Sequence, residues 1–83
     1  MDADRYLRRI GSGPVALADL ATLRQLQHAH LHAVPFENLD IRAGRALDLN
    51  EAALFDKVVE RRRGGICYEQ NVLFAALLRA LGF

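Results

Sequence analysis

Apolar residues recur at helical spacing in four stretches of the chain, separated by glycine, proline and short polar caps. In the first, from about Asp2 to Ile10, Tyr6, Leu7 and Ile10 share one face, and Gly11-Ser12-Gly13-Pro14 ends the pattern. In the second, Leu20, Leu23, Leu26 or Gln27, His30, Leu31 and Val34 repeat behind Asp19, a candidate N-cap. Pro35 closes that stretch, because its ring disfavours a helical residue before it. Asn50 is a good N-cap for a third helix through about Glu60, with Leu54, Phe55, Val58 and Val59 facing inward. A fourth helix starts near Cys67 and stops at Gly82. Between the second and third, Leu39-Asp40-Ile41 and Leu47-Asp48-Leu49 alternate apolar with polar around a turn, which predicts two short strands or extended segments. The expected fold is mainly α: a small bundle of about four helices with a short β-hairpin-like excursion, forming one domain over residues 1–83.

The fourth helix is unusual in its pattern. Val72, Leu73, Phe74, Ala75, Ala76, Leu77, Leu78, Ala80 and Leu81 are apolar nearly all round, and such a helix needs cover on every side. Three short helices cover only part of it, so further chain or a partner is expected to complete the burial, with self-association through this face as one route.

Composition narrows the function classes. A chain of 83 residues with 52% hydrophobic and 25% charged residues is one small soluble domain with a modest core. Its net charge of +1 gives no overall attraction to nucleic acid or to an anionic membrane. Arg61-Arg62-Arg63 is a local basic cluster that a solvated helix end accounts for, which leaves a helix-turn-helix reading without a second basic stripe. No apolar run approaches the roughly 18 residues that span a bilayer. The N-terminus is acidic and then amphipathic, lacking the basic region and apolar stretch of a secretory leader. A single cysteine cannot form an internal disulfide, so a cytoplasmic location is expected.

That cysteine carries the candidate chemistry. Cys67 follows Gly64-Gly65-Ile66 and opens the fourth helix, where unpaired backbone N–H groups and the positive end of the dipole favour an anion. A thiol so placed becomes a better nucleophile as its thiolate fraction rises. Burial as a small hydrophobe is the competing reading, and local context alone leaves both open. The histidines His28, His30 and His32 fall in the second helix, with His28 and His32 on one face. Their ordinary reading is as surface or boundary residues. A local triad with Asp40 or Asp48, or a zinc site with Cys67, has weaker support, and no metal is expected.

Two segments, Pro35-Phe36-Glu37-Asn38-Leu39 and Arg63-Gly64-Gly65-Ile66-Cys67-Tyr68-Glu69-Gln70-Asn71, resemble the arylamine N-acetyltransferase family, and the likeness extends to Leu54-Phe55-Asp56-Lys57 and Ala80-Leu81-Gly82-Phe83. The resemblance implies the N-terminal helical domain of a papain-like cysteine transferase, which uses acetyl-CoA to acetylate arylamines or arylhydrazines; some relatives close amide bonds instead. It implies Cys67 as the nucleophile of a Cys-His-Asp triad. Arg63 and Glu37 would support the architecture as a clamp on the loop before Cys67, together with Gly64 and Gly65. Asn38 and Asn71 would satisfy backbone groups near that loop, and Phe36 would wall the acceptor pocket. The triad histidine and aspartate of the family lie beyond Phe83, as do a β-barrel and a C-terminal domain. The 83 residues are therefore expected to carry the nucleophile and to be inactive alone. The alternative is a non-catalytic module for interaction or self-association.

Overall fold

The computed structural model describes all 83 residues, and five α-helices account for most of its regular structure. Helix α1 spans Ala3–Arg9, α2 Leu20–Ala33, α3 Leu39–Arg42, α4 Glu51–Phe55 and α5 Cys67–Ala80. The caps follow the sequence. Asp19 accepts the Thr22 N–H at 2.8 Å, and Asn50 accepts those of Ala52 and Ala53 at 3.0 and 3.4 Å. Each satisfies donors that a helix start leaves without a partner.

Helix α4 does not continue as a regular helix to Glu60. Asp56–Glu60 forms a π-helical turn, whose wider winding brings three consecutive residues, Lys57, Val58 and Val59, into the interior. The core is built from Tyr6, Leu7 and Ile10 of α1, Leu26 of α2, Val34, Leu54 of α4, Val58 and Val59 of the π turn, and Leu73 and Leu77 of α5. Burying each aliphatic member contributes about 1.5–3 kcal/mol relative to leaving it in water, which makes this one cluster the main source of stability.

One expectation changes. Leu39–Arg42 is a single helical turn rather than a strand: the N–H of Arg42 reaches the Asn38 carbonyl at 3.0 Å and that of Ala43 reaches Leu39 at 2.9 Å. Leu47–Leu49 has no regular structure, and no ladder joins it to Leu39–Ile41. Three residues of alternation are too few to separate a period of 2 from one of 3.6, and Asp40 is drawn toward the cations of Lys57 and Arg63. The bridge that does form is parallel, between Phe36 and Gly65. The cover on α5 is partial, in keeping with its pattern. The helix packs against α1 and α4, which bury Leu73, Ala76 and Leu77 and half-bury Phe74, Ala75, Leu78 and Leu81. Of its apolar run only Val72 and Ala80 face outward. Large apolar side chains that stay exposed include Phe36, Leu39, Ile41, Leu47 and Leu49 between α2 and α4, and Leu17, Leu20, Leu31 and Tyr68 elsewhere.

Candidate active site

The loop that leads into α5 is stitched to the segment after α2. The Gly65 N–H donates to the Pro35 carbonyl at 3.2 Å, and the Glu37 N–H donates to the Gly65 carbonyl at 3.1 Å. The Gln70 side-chain amide adds two more bonds, to the same Pro35 and Gly65 carbonyls at 3.1 and 2.8 Å. A Cβ on Gly64 would lie 1.7 Å from the Pro35 carbonyl oxygen, so the two stretches of backbone approach this closely only because that residue is glycine.

Charged side chains hold the same loop from beneath. Arg63 pairs with Glu37 Oε1, while Glu37 Oε2 accepts the Gly64 N–H at 3.3 Å. The same Arg63 nitrogen lies 3.0 Å from Asp40 Oδ1, and Asp40 Oδ2 lies 3.1 Å from Lys57 Nζ. Lys57 Nζ in turn donates to Glu69 Oε2 at 2.8 Å, and Glu69 Oε1 accepts the Ile66 N–H at 3.1 Å. Five ionised groups thus form one continuous chain. Lys57 and Glu69 are only 4% and 5% exposed, a depth at which charges persist only when paired. Burial pushes Glu37 upward, but its bonds to Arg63 and Gly64 outweigh that and hold it below the usual carboxylate range. Asp40 is held low by Lys57 and Arg63. Burial works against the Lys57 charge, yet Glu69 and Asp40 raise its pKa above the ordinary value.

Arg9 completes the support. Its guanidinium is buried and donates to the carbonyls of Val58 at 2.7 Å, Ala33 at 3.0 Å and Arg63 at 3.3 Å, tying together three chain segments that end or begin near the loop.

Cys67 is the first residue of α5, and its side chain is exposed. The N-cap position is Ile66, which has no side-chain acceptor; only the return half of a capping box exists, made by Glu69 to the Ile66 N–H. The N–H groups of Cys67, Tyr68 and Glu69 accordingly find no acceptor within the chain. Phe36 and Tyr68 are 68% and 67% exposed.

Other expected site residues fall differently. The side chains of Asn38 and Asn71 make no hydrogen bond to the loop, because Glu37, Glu69 and Gln70 already occupy its polar groups. Asn71 instead lines a hollow of about 100 Å³ with Gln27, His30, Leu31, Gln70 and Phe74. His28 and His32 stack on each other on the outside of α2, with ring centroids 4.2 Å apart. His30 is buried, 2.7 Å through Nε2 from the Tyr6 hydroxyl. Burial, reinforced by Arg9, depresses its pKa to about 4. None of the three bonds to Cys67, Asp40 or Asp48, so no triad closes within these residues. Nor do three or more His, Cys, Asp or Glu side chains gather as a metal-ligand set, so His28, His32 and Cys67 do not come together around a common point. No helix is long and apolar enough to cross a membrane.

The structure contains the expected Arg63–Glu37 contact and places Cys67 at the expected helix start, while the supporting parts played by Lys57, Glu69, Gln70 and Arg9 were not foreseen, and Asp40, considered as a triad partner, belongs to the ionic chain instead. Lys57 could have been found as a charge three residues after Leu54, on the same helical face, directly before the apolar Val58-Val59, and Glu69 as an acid at the third position of a helix whose cap is apolar.

Comparison with known proteins agrees with this geometry. The family model described as N-acetyltransferase matches residues 19–83. The arylamine N-acetyltransferase of Mycolicibacterium smegmatis is 49% identical over 84 residues, covering 100% of this chain and 30% of that protein. The crystal structure of Nocardia farcinica arylamine N-acetyltransferase superposes with a TM-score of 0.93 at 51% identity, over 99% of this chain and 29% of that one. The structure of Mycobacterium marinum arylamine N-acetyltransferase in complex with CoA superposes with a TM-score of 0.91 at 48% identity, over 98% and 30%. The chain spans about 30% of the length of the relatives it matches. Matched along nearly its whole length in sequence and in backbone, with the cysteine-headed helix inside the match, the chain belongs to the arylamine N-acetyltransferase family.

Proposed function

We propose that Cys67 is the acyl-accepting nucleophile of an enzyme that moves an acetyl group from acetyl-CoA to the nitrogen of an arylamine or arylhydrazine. The observation that carries this reading is the exposed thiol at the first residue of α5, beside three backbone N–H groups with no acceptor. In the first half-reaction the thiolate attacks the thioester carbonyl, and the CoA thiol leaves. The free N–H groups and the helix dipole are suited to the oxyanion that forms. In the second, the amine attacks the acetyl-cysteine and releases Cys67.

The proton steps need a base. His30 is committed to Tyr6, and His28 and His32 face each other on the exposed side of α2; the family resemblance implies a histidine, oriented by an aspartate, beyond these 83 residues as the base. These residues alone then bind no complete CoA site and do not turn over. Phe36, exposed beside the loop, is a wall of the acceptor pocket, and Arg63, Glu37, Gly64 and Gly65 keep the loop in shape. The reaction as drawn calls on no metal, and the unpaired thiol fits a cytoplasmic setting.

The test is acetyl transfer from acetyl-CoA to an arylamine, run with this chain alone and with the remaining C-terminal portion of the Mycolicibacterium smegmatis relative added. No turnover is expected from the chain alone, and turnover that Cys67→Ala abolishes is expected from the mixture. Loss of general acid–base help is worth about 10²–10⁴-fold, so turnover by the chain alone would sink the claim of an external base. A second reading, a non-catalytic interaction module, is favoured by the number of large apolar side chains left exposed, among them Phe36, Leu39, Ile41, Leu47 and Leu49. It predicts dimers in solution and no acetylation of Cys67 in either condition.

A further inference from the structure

We propose that Lys57 and Glu69 are positioning residues for Cys67, holding the backbone immediately before it through the Ile66 N–H. The inference rests on Cys67 being the nucleophile and adds to that reading a pair that does no chemistry itself.

Gly65 is flanked by Gly64 and Ile66, and each of those N–H groups is taken by a carboxylate, Gly64 by Glu37 at 3.3 Å and Ile66 by Glu69 at 3.1 Å. The carboxylates are not independent. Glu37 is tied to Arg63, Arg63 to Asp40 at 3.0 Å, Asp40 to Lys57 at 3.1 Å and Lys57 to Glu69 at 2.8 Å. The loop is therefore gripped on both sides of Gly65 by the two ends of one ionic chain. A carboxylate that swings freely fixes nothing; Lys57 removes that freedom from Glu69 by taking its second oxygen.

A purely stabilising role explains this poorly. Replacing a buried ion pair by apolar side chains of similar volume is often neutral or stabilising, so stability gives weak reason for Lys57 and Glu69 to be charged. What an apolar pair cannot supply is an acceptor for the Ile66 N–H. The Gly65 carbonyl of that same peptide keeps its bonds to the Glu37 N–H and the Gln70 amide, so without Glu69 the peptide is held from its carbonyl side only, and the direction of the thiol and of the neighbouring free N–H groups is less closely set. The absence of a side chain on Gly65 is what lets Glu69 reach it, since a Cβ there would meet Glu69 Oε1 at 2.9 Å.

Two double variants separate the roles. Lys57→Gln with Glu69→Gln keeps an acceptor for Ile66 and a side chain to hold it, without charge. Lys57→Met with Glu69→Leu keeps the volume and removes the acceptor. Three quantities are read in the 83-residue protein: urea stability, amide hydrogen exchange of Ile66, and acetylation of the sole cysteine by p-nitrophenyl acetate. In that last step the sulfur–acetyl bond forms as p-nitrophenolate leaves. Val59→Ala is the control for lost stability alone. The Met/Leu variant is expected to recover most of the stability that Lys57→Met alone loses, yet to exchange the Ile66 amide and to acetylate Cys67 with rates changed by about tenfold or more, faster and slower respectively, the size of one lost hydrogen bond to a charged group. The Gln/Gln variant should restore both. If Ile66 exchange and Cys67 acetylation in the Met/Leu variant match the parent, or change only as much as in Val59→Ala, the positioning role is overturned. If the parent itself shows no acetyl adduct on Cys67, the nucleophile reading falls, and Ile66 exchange still decides whether the pair holds the loop.

Discussion

Two polar clusters are buried in this small protein, and they are kept there by opposite means. Between α1 and α2, Tyr6 and His30 share one short hydrogen bond, flanked by the rings of Phe55 and Phe74, and both stay uncharged: burial raises the phenol and lowers the imidazole. Beneath the Cys67 loop, half-buried Glu37, Arg63 and Asp40 and buried Lys57 and Glu69 form a chain of ion pairs, each satisfied by its neighbours. The neutral pair is vulnerable to a proton, the ionic chain to the loss of a member. An interior thus has two ways to hold polar groups: the neutral pair joins two segments, α1 and α2, whereas the ionic chain joins several in series.

The ionic cluster breaks most severely at a single link. Lys57→Met leaves Glu69 buried without its counter-charge and is expected to cost about 3–5 kcal/mol in urea unfolding, most of it recovered on adding Glu69→Leu. In the neutral cluster, Tyr6→Phe removes the one partner of His30 Nε2, for a smaller loss of about 1–3 kcal/mol. Acid separates the clusters by the pH at which each gives way. His30 has its folded pKa, about 4, below the free value of 6.5. Its contribution is complete above pH 6.5 and is lost as pH falls toward 4, on the order of 1–2 kcal/mol after allowance for solvent screening. Glu37 and Asp40, also held low, lose theirs only below the ordinary carboxylate values of 4.5 and 3.8. Unfolding midpoints measured from pH 7 to 4.5 should therefore drop in the parent and stay level in His30→Asn; equal slopes would show that the imidazole is not the titrating group. Smallest of all, Arg5→Ala removes an exposed pair with Glu60 and should shift stability by less than about 1 kcal/mol, with the effect vanishing in high salt.

How far the sequence could be read divides along the same line. Caps and helical stripes are local, and Asp19, Asn50 and the Tyr6-Leu7-Ile10 face are where the pattern puts them. The helix start at Cys67 was legible as well, since a glycine pair before a lone cysteine and an apolar run is a local signal. The ionic chain beyond its Arg63–Glu37 link was not, because Lys57, Asp40 and Glu69 join residues 12 to 23 positions apart whose charges, read singly, belong on a surface. His30 shows the same limit. It continues the stripe of Leu26 and Val34, yet as one of three neighbouring histidines it looked like an outward residue. Leu39-Asp40-Ile41 failed for a related reason: Asp40 belongs with Lys57 and Arg63, and that tertiary demand outweighs a three-residue alternation.

The π turn at Asp56–Glu60 has a consequence for how this gene can change. A π turn holds one residue more than an α turn, so it behaves as an in-frame insertion already absorbed by the helix. Deleting any one codon there would let α4 run on as an ordinary helix and rotate the chain beyond it by about 100°. With Asp56 deleted, for example, Val58 would take the place of Lys57 and the ammonium would turn away from Glu69. Substitutions along this turn change one contact at a time, whereas a loss of length changes every contact beyond it.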